Sequence, residues 1–384
     1  MYQYQAPGVY REEVFPKPRP GLLTGVPAFI GFAQQGNINE PQELSLFNQF
    51  EDTFGTAVAD GYLHDAVEGF FQNGGTLCYV IRLQEVQNSQ SQPEVLNVLN
   101  QGLAALDGLD TIDLVCVPDI MVWGEQLDWV VKMQQAVLKH CEEMGDRFAI
   151  LDSVNVAKVE EIQQQLQRLQ SSYGGLYTPW IKVRDTSKPP FGFVPPCGHI
   201  AGIYARSDGE GGVHQAPANY EIEKALDVGI RLSNTDQVSL NSSNTQPGVN
   251  CIRAFTGRGI RVWGAYTLSN DSQWHYLNVR RLFINMSRWI ELNLSSVAFE
   301  PNNFKLWVRI ERELYAYCNA LFQQGALKGS NAQEAFYVKC DSETNSPAIL
   351  DQGMVVTEVG LAPTIPSEFI VVRLIHNSDG IAIQ

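Results

Sequence analysis

The sequence is short of positive charge. Across 384 residues, 27 Lys and Arg stand against 42 Asp and Glu, for a formal net charge of −15. A chain this acidic is repelled on average by polyphosphates and anionic bilayers, which excludes broad nucleic-acid binding and electrostatic membrane attachment. Charged residues of both signs make up only 18%, below the roughly 25% usual in soluble domains. With 44% hydrophobic and 10% aromatic residues beside them, so sparse a charged surface predicts an exterior largely covered by other protein, such as copies of the same chain. Long apolar runs are also missing: none approaches the roughly 18 residues of a membrane span. The opening MYQYQAPGVYREE has no basic segment followed by an apolar one, so the chain is expected to be soluble and to lack an export leader.

Signatures of chemistry are equally scarce. Cys78, Cys116, Cys141, Cys197, Cys251, Cys318 and Cys340 are an odd number with no CxxC spacing, which predicts buried, reduced thiols in a cytosol. His64, His140, His199, His214, His275 and His376 are scattered, with no HExxH or other metal-ligand spacing. The Gly-rich pieces Asp208 to Gly212 and Gly257 to Gly259 fit neither GxxxxGK[ST] nor GxGxxG, and no GxSxG elbow occurs. The carboxylates are too dispersed to name an acid/base pair. No catalytic residue, cofactor site or metal ligand is nominated, and the chain is not expected to be an enzyme.

What is present is an alternation of short β-rich runs with segments of helical period from about residue 28 to 205, the pattern of an α/β layer with a mainly parallel sheet. Strands are predicted at Ala28 to Phe32, Thr76 to Leu83, Ile112 to Val117, Phe148 to Leu151, Tyr177 to Val183 and Ile200 to Ala205. Leu63, Val67, Phe70 and Phe71 predict a helix stopped at Gly74-Gly75. Leu127, Val130, Val131, Val137, Leu138 and Cys141 predict another, stopped at Gly145. A third, Val156 to Leu169, is rich in Gln and Glu, and its outer face is expected to be solvated. Loops are read at Gln87 to Pro93, Lys188 to Pro196 and Ser239 to Gly248, the last as a domain boundary. Beyond it come a strand (Ile260 to Leu268), two long helices (about 274 to 296 and 303 to 325) and strands near Ala335 to Cys340, Met354 to Leu361 and Phe369 to Ile375. The fold class is α/β with an α+β core.

Two features stand out. In the helix after Pro301, Trp307, Ile310, Leu314, Tyr317 and Leu321 recur at steps of three and four and form one apolar stripe. At about 100° per residue, Lys305, Arg309 and Arg312 fall on the opposite face, flanked by Glu311 and Glu313. Such a face is either solvated or a seat for an acidic partner. The second feature is the termini. Phe369, Ile370, Val371, Val372, Arg373 and Leu374 read as a strand apolar on both faces except at Arg373. Val9, Tyr10, Arg11, Glu12, Glu13 and Val14 form a β-prone run isolated between Pro7-Gly8 and the break Pro16, Pro18, Pro20-Gly21. That run is either an edge strand of its own domain or a strand added to a neighbour's sheet.

The opening PGVYREEV with VPAFIGFA resembles the start of contractile tail sheath proteins of myophage tails, R-type tailocins and contractile injection systems. The later blocks GHIAGIYARSDGEGGVHQAPAN, GVNCIRAFTGRGIRVWGAYTL, WHYLNVRRLFINMSRWI, FEPNN, LFQQGALKGSNAQEAFYVKCD and GLAPTIPSEFIVVRL resemble that family's C-terminal signature, in order. Tyr266 replaces an expected Arg, and Val213-His214 replaces an aromatic-basic pair before APAN.

The resemblance implies an N-terminal arm over 1–20, an outer α/β domain over 21–240, an inner core over 241–366 and a C-terminal arm over 367–384. It implies strand exchange between subunits through residues 9–14 and 369–374. It also implies stacked hexameric rings around an inner tube, with baseplate and cap proteins at the ends. Assembly would occur in the cytoplasm, as part of a tail or tail-like particle that is released by lysis or anchored through other proteins. Lys305, Arg309 and Arg312 then become candidates for contact with the tube. A baseplate or cap paralogue forming a single ring is the alternative, and an α/β enzyme a more distant one.

Overall fold

The structure, a computed structural model, describes residues 22–384 except 87–90, 156–157, 185–191, 242–246, 369–373, 378–379 and 384. Its first two thirds wind around one sheet. The strands are β1 (Pro27–Gly31), β2 (Gln42–Leu44), β3 (Cys78–Arg82), β4 (Leu114–Cys116), β5 (Phe148–Asp152) and β6 (Gly174–Thr178). A small antiparallel sheet of β7 (Ile181–Val183), β8 (Gly192–Val194) and β9 (Asp227–Val228) follows, and then β10 (Val249–Phe255) and β11 (Gly259–Trp263). The large sheet runs β11-β10-β6-β5-β4-β1-β3-β2. The strands from β10 to β3 in that order are parallel, and an antiparallel strand closes each end, β11 on β10 and β2 on β3.

All five residues of β1, β5 and β6 are buried, as expected for parallel strands covered on both faces. Alternate residues serve opposite layers. Ala28 and Ile30 pack with α3 (Gln92–Ala104) and α4 (Leu127–Met144), among Val95, Leu99, Val130 and Val137. Phe29 packs with α1 (Phe47–Phe54) and α2 (Leu63–Gln72), among Phe50, Phe54, Val67 and Phe70. The predicted helical stops hold: α4 ends on Gly145 at φ 72°, the left-handed conformation that glycine adopts without a Cβ clash. In α5 (Val159–Leu166) the Gln/Glu-rich sequence is not wholly outward, since Gln165 is buried and bonds Val154 N at 2.9 Å and Gln134 Oε1 at 2.8 Å.

The strand predicted at Ile200 to Ala205 is instead part of helix α6 (Cys197–Gly211). Every residue from Cys197 to Tyr204 is buried, so this stretch of the helix is covered on all sides and shows no amphipathic period. Gly198 and Gly202 explain how it fits. A Cβ on Gly198 would lie 2.1 Å from Ala66 O of α2, and one on Gly202 would lie 2.5 Å from Phe70 O. Two helices can approach that closely only where side chains are missing. Gly198→Val is therefore expected to lower the unfolding free energy by about 3 kcal/mol, read as a fall in thermal midpoint, whereas Gly209→Ala, with open space around it, leaves the midpoint within a degree or two.

The strand predicted over Tyr177 to Val183 breaks at Pro179-Trp180 into β6 and β7, which belong to different sheets; proline has no N–H to give a ladder. At the boundary read at Ser239 to Gly248, α7 (Asn234–Leu240) runs into its first two residues and β10, after it, pairs with β6 of the main sheet. Packing changes later, at α8 (Leu277–Leu294) and α9 (Phe304–Gln323). There Leu282, Met286, Ile310, Leu314, Cys318 and Phe336 build a third core. It is completed by β12 (Phe336–Lys339) and β13 (Glu358–Leu361), a two-stranded antiparallel sheet. All seven cysteines are buried and free. Among the described residues, no helix is long and apolar enough to cross a membrane.

Candidate assembly surfaces

Helix α9 begins at Asn303, whose side chain accepts from Lys305 N at 2.9 Å and caps the first turn. Its buried side is Leu306, Ile310, Leu314, Cys318 and Leu321. Trp307 and Tyr317, read as core in the sequence, lie half-buried on its margins. Trp307 donates its indole N–H to Asn302 Oδ1 at 2.9 Å, and Tyr317 stacks on Trp289 of α8 at 4.2 Å between centroids. On the outer face Lys305 and Arg312 are exposed, with no ion-pair partner among the described residues. Arg309 stands between them but is held by Glu313 Oε1 at 3.4 Å and Glu300 Oε1 at 2.5 Å. These carboxylates raise its pKa above the ordinary guanidinium value. The stripe therefore offers two open cations around a third that is already compensated.

A second cationic group escaped the sequence reading. Leu277, Arg281, Ile284 and Arg288 share one face of α8, at steps of four, three and four, and all are buried. Arg281 donates to Asp208 Oδ1 at 2.8 Å and Oδ2 at 2.5 Å, and reaches Asp113 Oδ2 at 3.2 Å. Burial works against its charge, but the Asp208 and then the Asp113 carboxylates raise its pKa overall. Asp113 also accepts from Gly25 N at 3.0 Å and Val26 N at 2.7 Å. Arg288 donates to the carbonyls of Leu23 (2.9 Å), Asp110 (3.1 Å) and Thr111 (2.9 Å). Arg280 lies over Trp274 at 3.4 Å and Tyr173 at 4.5 Å, a cation–π stack. Three arginines of α8 thus bind it to the main sheet and to residues 23–26, where the chain enters β1. The readable signal was an arginine at core positions of an otherwise apolar helical face.

In an open parallel sheet, ligands bind outside the carboxyl ends of the strands at the point where the strand order reverses. Here that point lies between β1 and β4. Asp119 occupies it, accepting from Phe32 N and Tyr62 N, each at 2.5 Å. Burial pushes its carboxyl up to about 6, against the pull of those amides. The cavity beside it, lined by Phe32, Leu99, Val117, Trp123 and Met133, measures about 10 Å³, about one water. Asp152, at the end of β5, is likewise buried and pushed up to about 7, and it accepts from Cys197 N at 2.8 Å. Both carboxylates pin backbone in place. His64, Asp65 and Glu68 at the start of α2 come within metal-ligand reach of one another, with His64 edge-on to Phe47 and Phe50 and 3.8 Å from Glu51.

Of the predicted arms, residues 9–14 and 369–373 lie outside the described residues. Leu374 opens β14 (Leu374–Asn377), which pairs antiparallel with β15 (Gly380–Ile383). Among the described residues, the β12–β13 sheet has no third strand.

Residues 99–268 match the phage tail sheath protein central domain and residues 269–375 the phage tail sheath C-terminal domain. A putative prophage major tail sheath protein of Pseudomonas aeruginosa is 25% identical over 245 residues, 61% of this chain and 60% of that protein. The stretches matched in the tail sheath proteins of Salmonella phage ViI and Enterobacteria phage T4 cover only 30% and 28% of those longer proteins. Among solved structures, a chain of the anti-feeding prophage baseplate is 31% identical, with 97% of this chain and 99% of that one covered and a TM-score of 0.75. The anti-feeding prophage helical sheath in its contracted state is 28% identical, with 97% and 100% covered and a TM-score of 0.75.

Proposed function

Because this chain belongs to the contractile tail sheath family, we propose that it is a sheath subunit that polymerises helically around an inner tube and shortens to drive that tube through a target envelope. The observation that carries this reading is likeness along nearly the whole chain to a contracted helical sheath. The work needs no bound nucleotide. At about 25 cal/mol per Å² of apolar surface, a few hundred Å² gained per subunit, summed over many subunits, supplies the free energy.

Within this reading, the N-terminal run 9–14 and the C-terminal run 369–374 exchange strands with neighbouring subunits. The sheet β12–β13, short and without a third strand among the described residues, is the kind of element that such strands complete. Within the region read at 241–366, the α8–α9 core with the arms 1–20 and 367–384 faces the tube, and the α/β region, read at 21–240 and joined by β10 and β11 of its sheet, faces outward. Its partners are further copies of itself, the tube protein and baseplate and cap proteins. The particle assembles in the cytoplasm.

Lys305 and Arg312, with Arg309 fixed between them, contact the tube, where exposed polar pairs hold the extended state and break at modest cost. Lys305→Glu with Arg312→Glu should abolish co-sedimentation with the tube protein and leave self-association intact. Unchanged co-sedimentation would return both residues to a solvated face. A second reading, a terminal ring, is favoured by the 31% identity to a baseplate chain. Sedimentation velocity separates the two: a sheath subunit grows open-endedly with concentration, and a ring stops at one closed species.

A further inference from the structure

The main sheet is open, and its two ends differ in charge. Residues 22–81, which contain β1, β2, α1 and α2, hold Glu40, Glu43, Glu51, Asp52, Asp60, Asp65 and Glu68 and not one Lys or Arg. Glu40, Glu43, Glu51, Asp52 and Asp60 are exposed. The exposed Leu46 leads into α1 among them.

At the opposite end the β10–β11 hairpin carries Arg253, Arg258 and Arg261, with Arg231 beside it. Arg231 and Arg261 have carboxylate partners, Asp227 at 3.6 Å and Glu221 at 3.4 Å. Arg253 and Arg258 bond neutral amides instead: Arg253 holds Gln237 and Asn234, and Arg258 holds Asn219 at 3.0 Å. Both guanidinium groups lie against the Phe255 ring, at 5.5 and 5.7 Å. Arg231 and Arg253 also line a concavity of about 290 Å³ whose other walls include Leu232, Ile252 and Phe255.

We propose that the two ends are the two halves of one contact between copies of this chain, the acidic β2–α1 end of one seated on the arginine-lined end of the next. Seven inter-strand steps of about 4.8 Å put them roughly 34 Å apart on one rigid sheet, so no molecule can satisfy both by folding on itself. A two-fold contact would set like charge against like charge. A head-to-tail contact pairs opposite charges and repeats, generating a ring or a helix. Glu43 on the edge strand β2 discourages backbone pairing there, so side chains make the contact. The inference rests on the sheath reading and adds which surfaces of neighbouring subunits meet.

The test exploits the two-sided geometry. Glu43→Lys, Glu51→Lys, Asp52→Lys and Asp60→Lys together make both ends basic, while Arg231→Glu, Arg253→Glu and Arg258→Glu together make both acidic. In 0.1 M salt each variant alone should yield at least tenfold less sedimentable polymer than the unaltered chain, and a one-to-one mixture should restore it. Either variant polymerising alone as the unaltered chain does would overturn the contact, as would a mixture as inactive as its parts when both are folded by circular dichroism. As a milder probe, chains carrying Glu51→Cys and Arg258→Cys should form a mixed disulfide dimer, since the native thiols are buried; its absence under assembling conditions also overturns the contact. If the unaltered chain itself forms no polymer, the sheath reading fails, a result distinct from failure of this contact.

Discussion

Arg281→Met should lower the unfolding free energy by about 3 to 5 kcal/mol at neutral pH, because it leaves Asp208 buried with no cation. Urea denaturation measures the loss. The same variant should also expose the chain before β1 to protease, since Arg281 and the amides of Gly25 and Val26 meet at the one carboxylate of Asp113. Adding Asp208→Asn to Arg281→Met should recover part of the loss by removing the stranded charge. If Arg281→Met costs under 1 kcal/mol, or the second substitution makes matters worse, the buried arginines of α8 do not fasten it to the sheet.

Deleting residues 1–16 should leave a folded chain, with its thermal midpoint nearly unchanged, that no longer polymerises. Among the described residues, Asp113 and Arg288 hold the chain where it enters β1, and β1 is buried between β3 and β4. A strand that neighbours exchange contributes little to its own subunit and much to the lattice. Gel filtration and sedimentation read the outcome directly. Normal polymer from the truncated chain would remove the N-terminal run from the assembly mechanism.

The helices α2 and α4 and the strands β1, β3, β4 and β5 were legible because one face or both faces of each is buried and the residues say so. Helix α6 was not, because Cys197 to Tyr204 is buried all round and its two glycines disguise a tight helix crossing as a strand. The outer face of α9 was placed correctly by periodicity, but the Glu300–Arg309 pair joins residues nine positions apart across a helix start, and no spacing rule discloses that. Arg280, Arg281 and Arg288 were missed for a related reason. Charge is assigned outward by default, and the groups that stabilise these arginines come from elsewhere in the fold: Asp113 and Asp208 for Arg281, the carbonyls of Leu23, Asp110 and Thr111 for Arg288, and the Tyr173 and Trp274 rings for Arg280. In a chain of net charge −15, some of the scarce cations hold α8 to the main sheet, and others are left at surfaces where a second molecule can meet them.

Electron microscopy of the purified 384-residue chain, raised in concentration with and without a candidate tube protein, tests the central claim most directly. The account predicts hollow helical tubes built from stacked rings, lengthening with concentration. A chain that stays monomeric throughout, or closes into isolated rings and never stacks, would contradict it.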